Sequence, residues 1–159
     1  MSTICPHSPP DYICPFCLVV EGIENKHVAT KQDDIVYQDD EVTAFISCRW
    51  WANNSGHVLV IPNEHIENVY SMSTHLLGKV QEVARQISLG LKETYKCDGV
   101  SSRQHNEPAG NQDVWHYHLH VFPRYKADRL YLESGSHATP AERLPYAQKL
   151  RTWLDRRNF

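Results

Sequence analysis

Gln112-Asp113-Val114-Trp115-His116-Tyr117-His118-Leu119-His120-Val121-Phe122 is the stretch on which the reading of this chain turns. From Val114 to Phe122 it is rich in β-branched and aromatic residues, and Pro123 stops it, as expected of a strand. Side chains of a strand point alternately to its two faces. His116, His118 and His120 therefore share one face, and Trp115, Tyr117, Leu119 and Val121 share the other. The second set is a core face. The first must line something polar, because three packed imidazoles oppose one another's protonation and need partners. Two chemistries fit: ligation of a metal ion, as His-x-His pairs do, or attack by one histidine on phosphorus while its neighbours steer it. A set of surface histidines merely solvated on an exposed strand is the bland alternative.

Outward from this stretch, Ile35–Gln38 and Val42–Ile46 read as two short strands joined by a polar turn at Asp39-Asp40. His57–Ile61 is a β-branched strand before Pro62, and Val100–His105 another. Between them, Leu76, Leu77, Val80, Val83, Ala84, Ile87 and Leu91 keep helical spacing over Ser73–Tyr95. Thr139-Pro140-Ala141-Glu142 is a capping box with proline at the first helical position; Pro145 interrupts, leaving either a single turn or a helix whose face continues through Tyr146, Leu150, Trp153 and Leu154. The order β-β-β-α-β-β-α lacks steady βα alternation. It implies an α+β fold: a mainly antiparallel sheet of about five strands, one long helix and a C-terminal helix.

The chain has 159 residues, enough for one domain. We read 1–159 as that domain, with 1–12 as a loose tail and 126–159 as a C-terminal extension. The formal net charge of −3 gives no general bias toward nucleic acid or membranes, and neither is expected as a partner. No apolar run approaches the roughly 20 residues that span a bilayer, and residues 1–10 lack the layout of an export signal. A cytoplasmic location and reduced thiols are the expectation. The five cysteines, an odd number, do not suggest a disulfide scaffold.

His116-Tyr117-His118-Leu119-His120-Val121-Phe122 resembles the signature of the histidine triad family. Gly56-His57-Val58-Leu59-Val60-Ile61-Pro62 resembles the strand before that family's long helix, and His65, Asn106 and Gln112 stand at matching places. The resemblance covers about Cys14 to Tyr125. It implies an enzyme that hydrolyses or transfers a nucleoside monophosphate group, acting at an α-phosphate. His118 would be the nucleophile, forming a nucleotidyl-histidine. His120 would stabilise phosphate charge, and the carbonyl of His116 would orient the His118 ring. Asn106 and Gln112 would position phosphate oxygens, and His57 would support the triad. Phe45, Ile35 and Ile46 would wall the base pocket. No metal is required for this chemistry, the substrate is a small nucleotide, and a homodimer is implied.

Two departures from the pattern stand out. Asp113 occupies a place where many members have Ser or Thr. It is either an acid near the leaving group or a carboxylate turned away, and strand parity favours the latter. Ser47 falls where many members carry a ribose-binding acid, and Trp50-Trp51 lengthens the following loop. Cys14-Pro15-Phe16-Cys17 has zinc-ligand spacing but lacks two further ligands. A bacterial-type subset of the family implies His65 and His116, giving a Cys14, Cys17, His65, His116 structural zinc site. Cys5, Cys48 and Cys97 read as plain thiols, the basic residues 143–157 as a solvated helix face, and Arg124 as a weak attractor of anionic substrate. Two other readings stay open: a metal-dependent hydrolase that uses the triad as ligands, and a nucleotide-binding module without turnover.

Overall fold

A polar turn starts the sheet. Asp39 Oδ1 accepts the N–H groups of Glu41 and Val42 at 2.9 and 2.7 Å, closing a hairpin between β1 (Ile35–Gln38) and β2 (Val42–Ile46). The computed structural model describes residues 6–130 and 132–159. Among these, α1 is Pro15–Val20, β3 Arg49–Trp50, β4 Val58–Pro62, α2 Thr74–Thr94, β5 Gly99–Gln104, β6 Leu119–Arg124, β7 Ser136–His137 and α3 Pro140–Asp155. A five-stranded antiparallel sheet runs in the order β1-β2-β4-β6-β5, and β3 pairs with β7 in a separate ladder. The α+β architecture expected from the sequence is therefore the one observed.

One face of the sheet packs on α2. The stripe predicted from spacing is the buried one: Leu76, Val80, Val83, Ala84, Ile87 and Leu91 meet Val58, Val60, Leu119 and Val121. Each Leu, Val or Ile side chain among them contributes about 1.5–3 kcal/mol on burial. Ser73 caps the helix by accepting the Leu76 N–H at 3.1 Å. No helix among the described residues is long and apolar enough to cross a membrane.

Four local expectations are corrected or decided by the structure. Strand β6 begins at Leu119, not Val114. Its neighbour β4 ends at Pro62, which has no N–H to offer beyond that point. The Tyr117 N–H instead reaches the Ile66 carbonyl at 2.6 Å, and that of Trp115 the Tyr12 hydroxyl at 3.2 Å. Helix α3 runs on through Pro145. That proline is its sixth residue, so one intrahelical bond is lost, while the Thr139–Glu142 capping box and the buried Ala147, Leu150, Trp153 and Leu154 hold the rest. Arg143 is not on a solvated face. It is 1% exposed and grips both carboxylate oxygens of Asp34 at 2.9 and 2.8 Å. The tail is anchored rather than loose over residues 7–12: the His7 and Ser8 N–H groups donate to the Glu67 carboxylate at 2.8 and 3.3 Å, and the His7 ring stacks on Trp115. Cys5 and the rest of residues 1–5 lie outside the described residues.

Candidate active site and metal site

The sheet face turned away from α2 carries the polar chemistry. Register places Leu59, His120 and Arg103 side by side on β4, β6 and β5. His57 extends the neighbouring row opposite Phe122, whose ring lies 4.5 Å from the His57 ring. A cavity of about 530 Å³ opens over this face, within the size range of small-molecule sites.

His118 sits at one end of the cavity with 2% of its surface exposed. Its Nδ1 lies 2.7 Å from the His116 carbonyl oxygen. A carbonyl can only accept, so Nδ1 carries the proton and Nε2 of the neutral ring keeps its lone pair. Burial pushes the His118 pKa below its ordinary value, which keeps the ring neutral and nucleophilic at neutral pH. His120 Nδ1 faces His57 Nε2 at 3.3 Å. Burial, with Arg103 and His118 adding to it, pulls the His57 pKa down to about 3, and His120 is driven well below its usual value by the same first cause.

Asp113 is a correction. It precedes β6, so strand parity does not govern it, and its Oδ1 faces His118 Nε2 at 3.8 Å. Gln112 and Asn106 do not line the cavity. Gln112 accepts the Glu107 N–H at 2.8 Å and donates to the carbonyls of Glu67 and Val114; Asn106 accepts the Val69 N–H at 2.8 Å and pairs with Gln104. Both amides brace the loop before the triad. Ser47, at the ribose position of the family pattern, lines the cavity, whereas Ile46, an expected pocket wall, packs in the core beneath α2. Phe45 and Ile35 belong to a smaller cluster in which the Phe16 ring covers Phe45 at 5.4 Å, so Phe16 forms the wall instead.

Reading the sequence missed Phe16, Arg49, Arg103, His105 and His137, all at the cavity. Arg103 was within reach: Val100–His105 reads as a strand on which Ser101, Arg103 and His105 share a face, and register alone was needed to set Arg103 against His120. Its guanidinium lies 5.7 and 5.4 Å from the Trp51 and Phe122 ring centres. Trp51 is held over the cavity by its Nε1–H, which donates to the Glu133 carbonyl at 2.8 Å.

Cys14, Cys17, His65 and His116 meet beside this site, their donor atoms all within 4.8 Å of one another. The Cys14 and Cys17 sulfurs lie 3.3 and 3.7 Å from His116 Nδ1, and Cys17 is 3.2 Å from His65 Nδ1. Tetrahedral zinc with its usual bond lengths would set such pairs about 3.3–3.8 Å apart. His116 Nε2 donates to the Pro62 carbonyl at 2.9 Å, leaving Nδ1 free to ligate. Burial and then the neighbouring Cys14 push the Cys17 thiol up to about 12, the opposite of what a bound cation would do. The donor set therefore fits a closed Cys₂His₂ site. Neither His118 nor His120 belongs to it.

Behind the cavity, Arg124 does not face it. It grips Asp128 with two bonds of 2.7 Å, and Asp128 also accepts from Asn54 at 2.9 Å, tying down the loop that carries Trp51. The hydrogen bond from Arg124 holds the Asp128 carboxyl well below the usual carboxylate range. A depressed folded-state pKa gives stability that is complete above the unfolded value of about 4 and is lost as pH falls below it. Thermal melts from pH 6 to pH 3 should therefore show a smaller acid loss for Asp128→Asn than for the native chain, although the variant starts lower. An equal acid slope in both would remove Asp128 as its cause.

The sequence model of the HIT domain matches residues 28–127. The chain belongs to the HIT family. "Protein hit" of Bacillus subtilis is 31% identical over 112 residues, covering 70% of this chain and 71% of its own length. A HIT-like protein of Borreliella burgdorferi is 32% identical over 127 residues, 79% of this chain and 85% of that protein. Among solved structures, a zinc-bound histidine triad protein of Mycobacterium smegmatis has a TM-score of 0.75 at 25% identity, covering 91% of this chain and 95% of that one. A HIT-like protein of Bartonella henselae has a TM-score of 0.68 at 30% identity, covering 75% and 85%. The HIT match ends at residue 127, so β7 and α3 lie beyond it.

Proposed function

We propose that this HIT protein is a nucleotide hydrolase or nucleotidyl transferase that works through a covalent nucleotidyl-His118. The observation that carries the reading is the short bond from His118 Nδ1 to the His116 carbonyl, which leaves an unprotonated Nε2 at the cavity. In the first step the Nε2 lone pair forms a bond to the α-phosphorus. The bond from phosphorus to the leaving oxygen or nitrogen breaks, and the leaving group takes its electron pair and a proton from solvent. In the second step the oxygen of water, or of another acceptor, attacks phosphorus, and the pair of the N–P bond returns to Nε2. Asp113, beside Nε2, is placed to take the proton of the attacking water. His120 and Arg103 offer donors to phosphate oxygens as charge builds. Phe16, edge-on to His118 at 5.4 Å, restricts its ring.

Zinc fits Cys14, Cys17, His65 and His116, where it would staple α1 and the chain after β4 to the triad loop. The zinc-bound Mycobacterium smegmatis relative supports that assignment. The alternative in which the triad itself ligates a catalytic ion gains no support among the described residues: the donors that converge are Cys14, Cys17, His65 and His116, and neither His118 nor His120 is among them.

The test is direct. Protein mixed with a dinucleoside polyphosphate or a nucleoside phosphoramidate is quenched in base within milliseconds to seconds and weighed intact. The expected result is an adduct of one nucleoside monophosphate, mapped to His118. Turnover with no adduct at any time would overturn the covalent reading; tight nucleotide binding with no turnover of either substrate class would favour a binding module.

A further inference from the structure

The cavity has a second charged end that the proposed chemistry does not use. In the β3–β7 ladder Arg49 and His137 are directly opposite, so their Cβ atoms stand about 4.5–5.5 Å apart, and both side chains line the cavity. The ladder is clamped from behind. Trp50, the intervening residue, is buried with its ring 5.1 Å from that of Tyr146, and the Ala138 N–H donates to the Cys48 carbonyl at 2.8 Å. Gly135 makes room for the arginine: a Cβ there would lie 3.0 Å from Arg49 Nε and 3.2 Å from its Cγ.

The distance from the nucleophile follows from register. Ser47 donates its N–H to the His57 carbonyl at 2.9 Å, which extends the β2–β4 ladder up to the start of β3. His57 in turn lies opposite Phe122, four residues beyond His118 along the triad strand. Ser47 is thus two strands across and four residues along from His118, roughly 16 Å between backbones at standard sheet spacings. Arg49 and His137 follow on β3 and β7, elements that line the cavity apart from the triad segment. Among the described residues no carboxylate pairs with Arg49, and the one acidic residue that lines the cavity, Asp113, faces His118.

We propose that Arg49 and His137 form a second anion subsite, and that the substrate is therefore a nucleotide with a further phosphate besides the reacting one. The proposal rests on the nucleotide reading above. The further phosphate belongs either to the sugar or to the leaving group; both present the same chemistry to a guanidinium and an imidazole. Arg49 lies within the HIT match and His137 beyond it, so the subsite is completed by the C-terminal extension.

Calorimetric binding of AMP, adenosine 3′,5′-bisphosphate and ATP tests it without any turnover, so it can fail or succeed independently of the trapping experiment. The native protein is expected to bind at least one of the two more highly phosphorylated probes about tenfold or more tightly than AMP. Whichever arm shows the gain says where the phosphate sits. In Arg49→Gln and in His137→Asn that ratio should fall to within about threefold, while Arg49→Lys keeps most of it. Melting curves confirm that each variant is folded. No gain in either arm, or a gain that survives Arg49→Gln, overturns the proposal.

Discussion

His118→Ala is expected to lower kcat on a nucleoside phosphoramidate or dinucleoside polyphosphate by at least about 10⁴-fold, with nucleotide affinity changed only a few-fold. The asymmetry follows from the geometry. The His118 ring supplies the one lone pair that the His116 carbonyl has oriented toward the cavity, so removing it removes the bond-forming atom. Binding surfaces are spread over Phe16, Arg103, Trp51 and other residues that the substitution leaves in place. Stopped assays for turnover and calorimetry for binding separate the two effects. A variant that keeps more than a tenth of native kcat would end the covalent reading. His118→Asn makes a useful companion, because its amide can still donate to the His116 carbonyl and preserve the local backbone while offering no nucleophile.

Cys14→Ser is expected to abolish stoichiometric zinc and to lower stability by about 4 kcal/mol, a fall in Tm of roughly 8–16 °C for a chain of this size. Cys14 and Cys17 open a helix of only six residues, which could not hold its place unaided. Their partners His65 and His116 come from the chain after β4 and from the triad loop. A metal there would cross-link three segments that the sheet ladder does not join. Metal analysis alongside thermal melts reads both consequences. His118→Ala should retain its zinc in the same assay. Loss of metal from His118→Ala would instead place the ion on the triad and contradict the site drawn here.

Much of this arrangement was legible before any coordinates. The α2 stripe was readable because seven apolar residues repeat at helical spacing, and the observed Thr74–Thr94 differs from the expected Ser73–Tyr95 only by its two caps. The histidine face was readable because alternation survives although the ladder begins only at Leu119: Tyr117 and Leu119 reach the core, and His118 and His120 the cavity. What periodicity could not convey was the behaviour of polar side chains. Gln112 and Asn106 have the chemistry to hold phosphate, but neighbouring backbone groups and the Gln104 side chain claim their donors and acceptors first. Asp113 was misjudged by applying strand parity to a residue outside the strand. Arg49 and His137 were invisible for a different reason: a ladder two residues long, joining distant parts of the chain, leaves no pattern in either part. Arg143 looked like one more basic residue on a helix, and its burial depends on Asp34, far away in sequence.

His116 serves two masters. Its side chain points to the sulfurs of Cys14 and Cys17 while its backbone oxygen aims the ring two residues on. Chelation should thus do more than loosen the scaffold: it should let the proton of that second ring wander between its nitrogens, a change that nitrogen NMR would register as tautomer exchange before any unfolding begins.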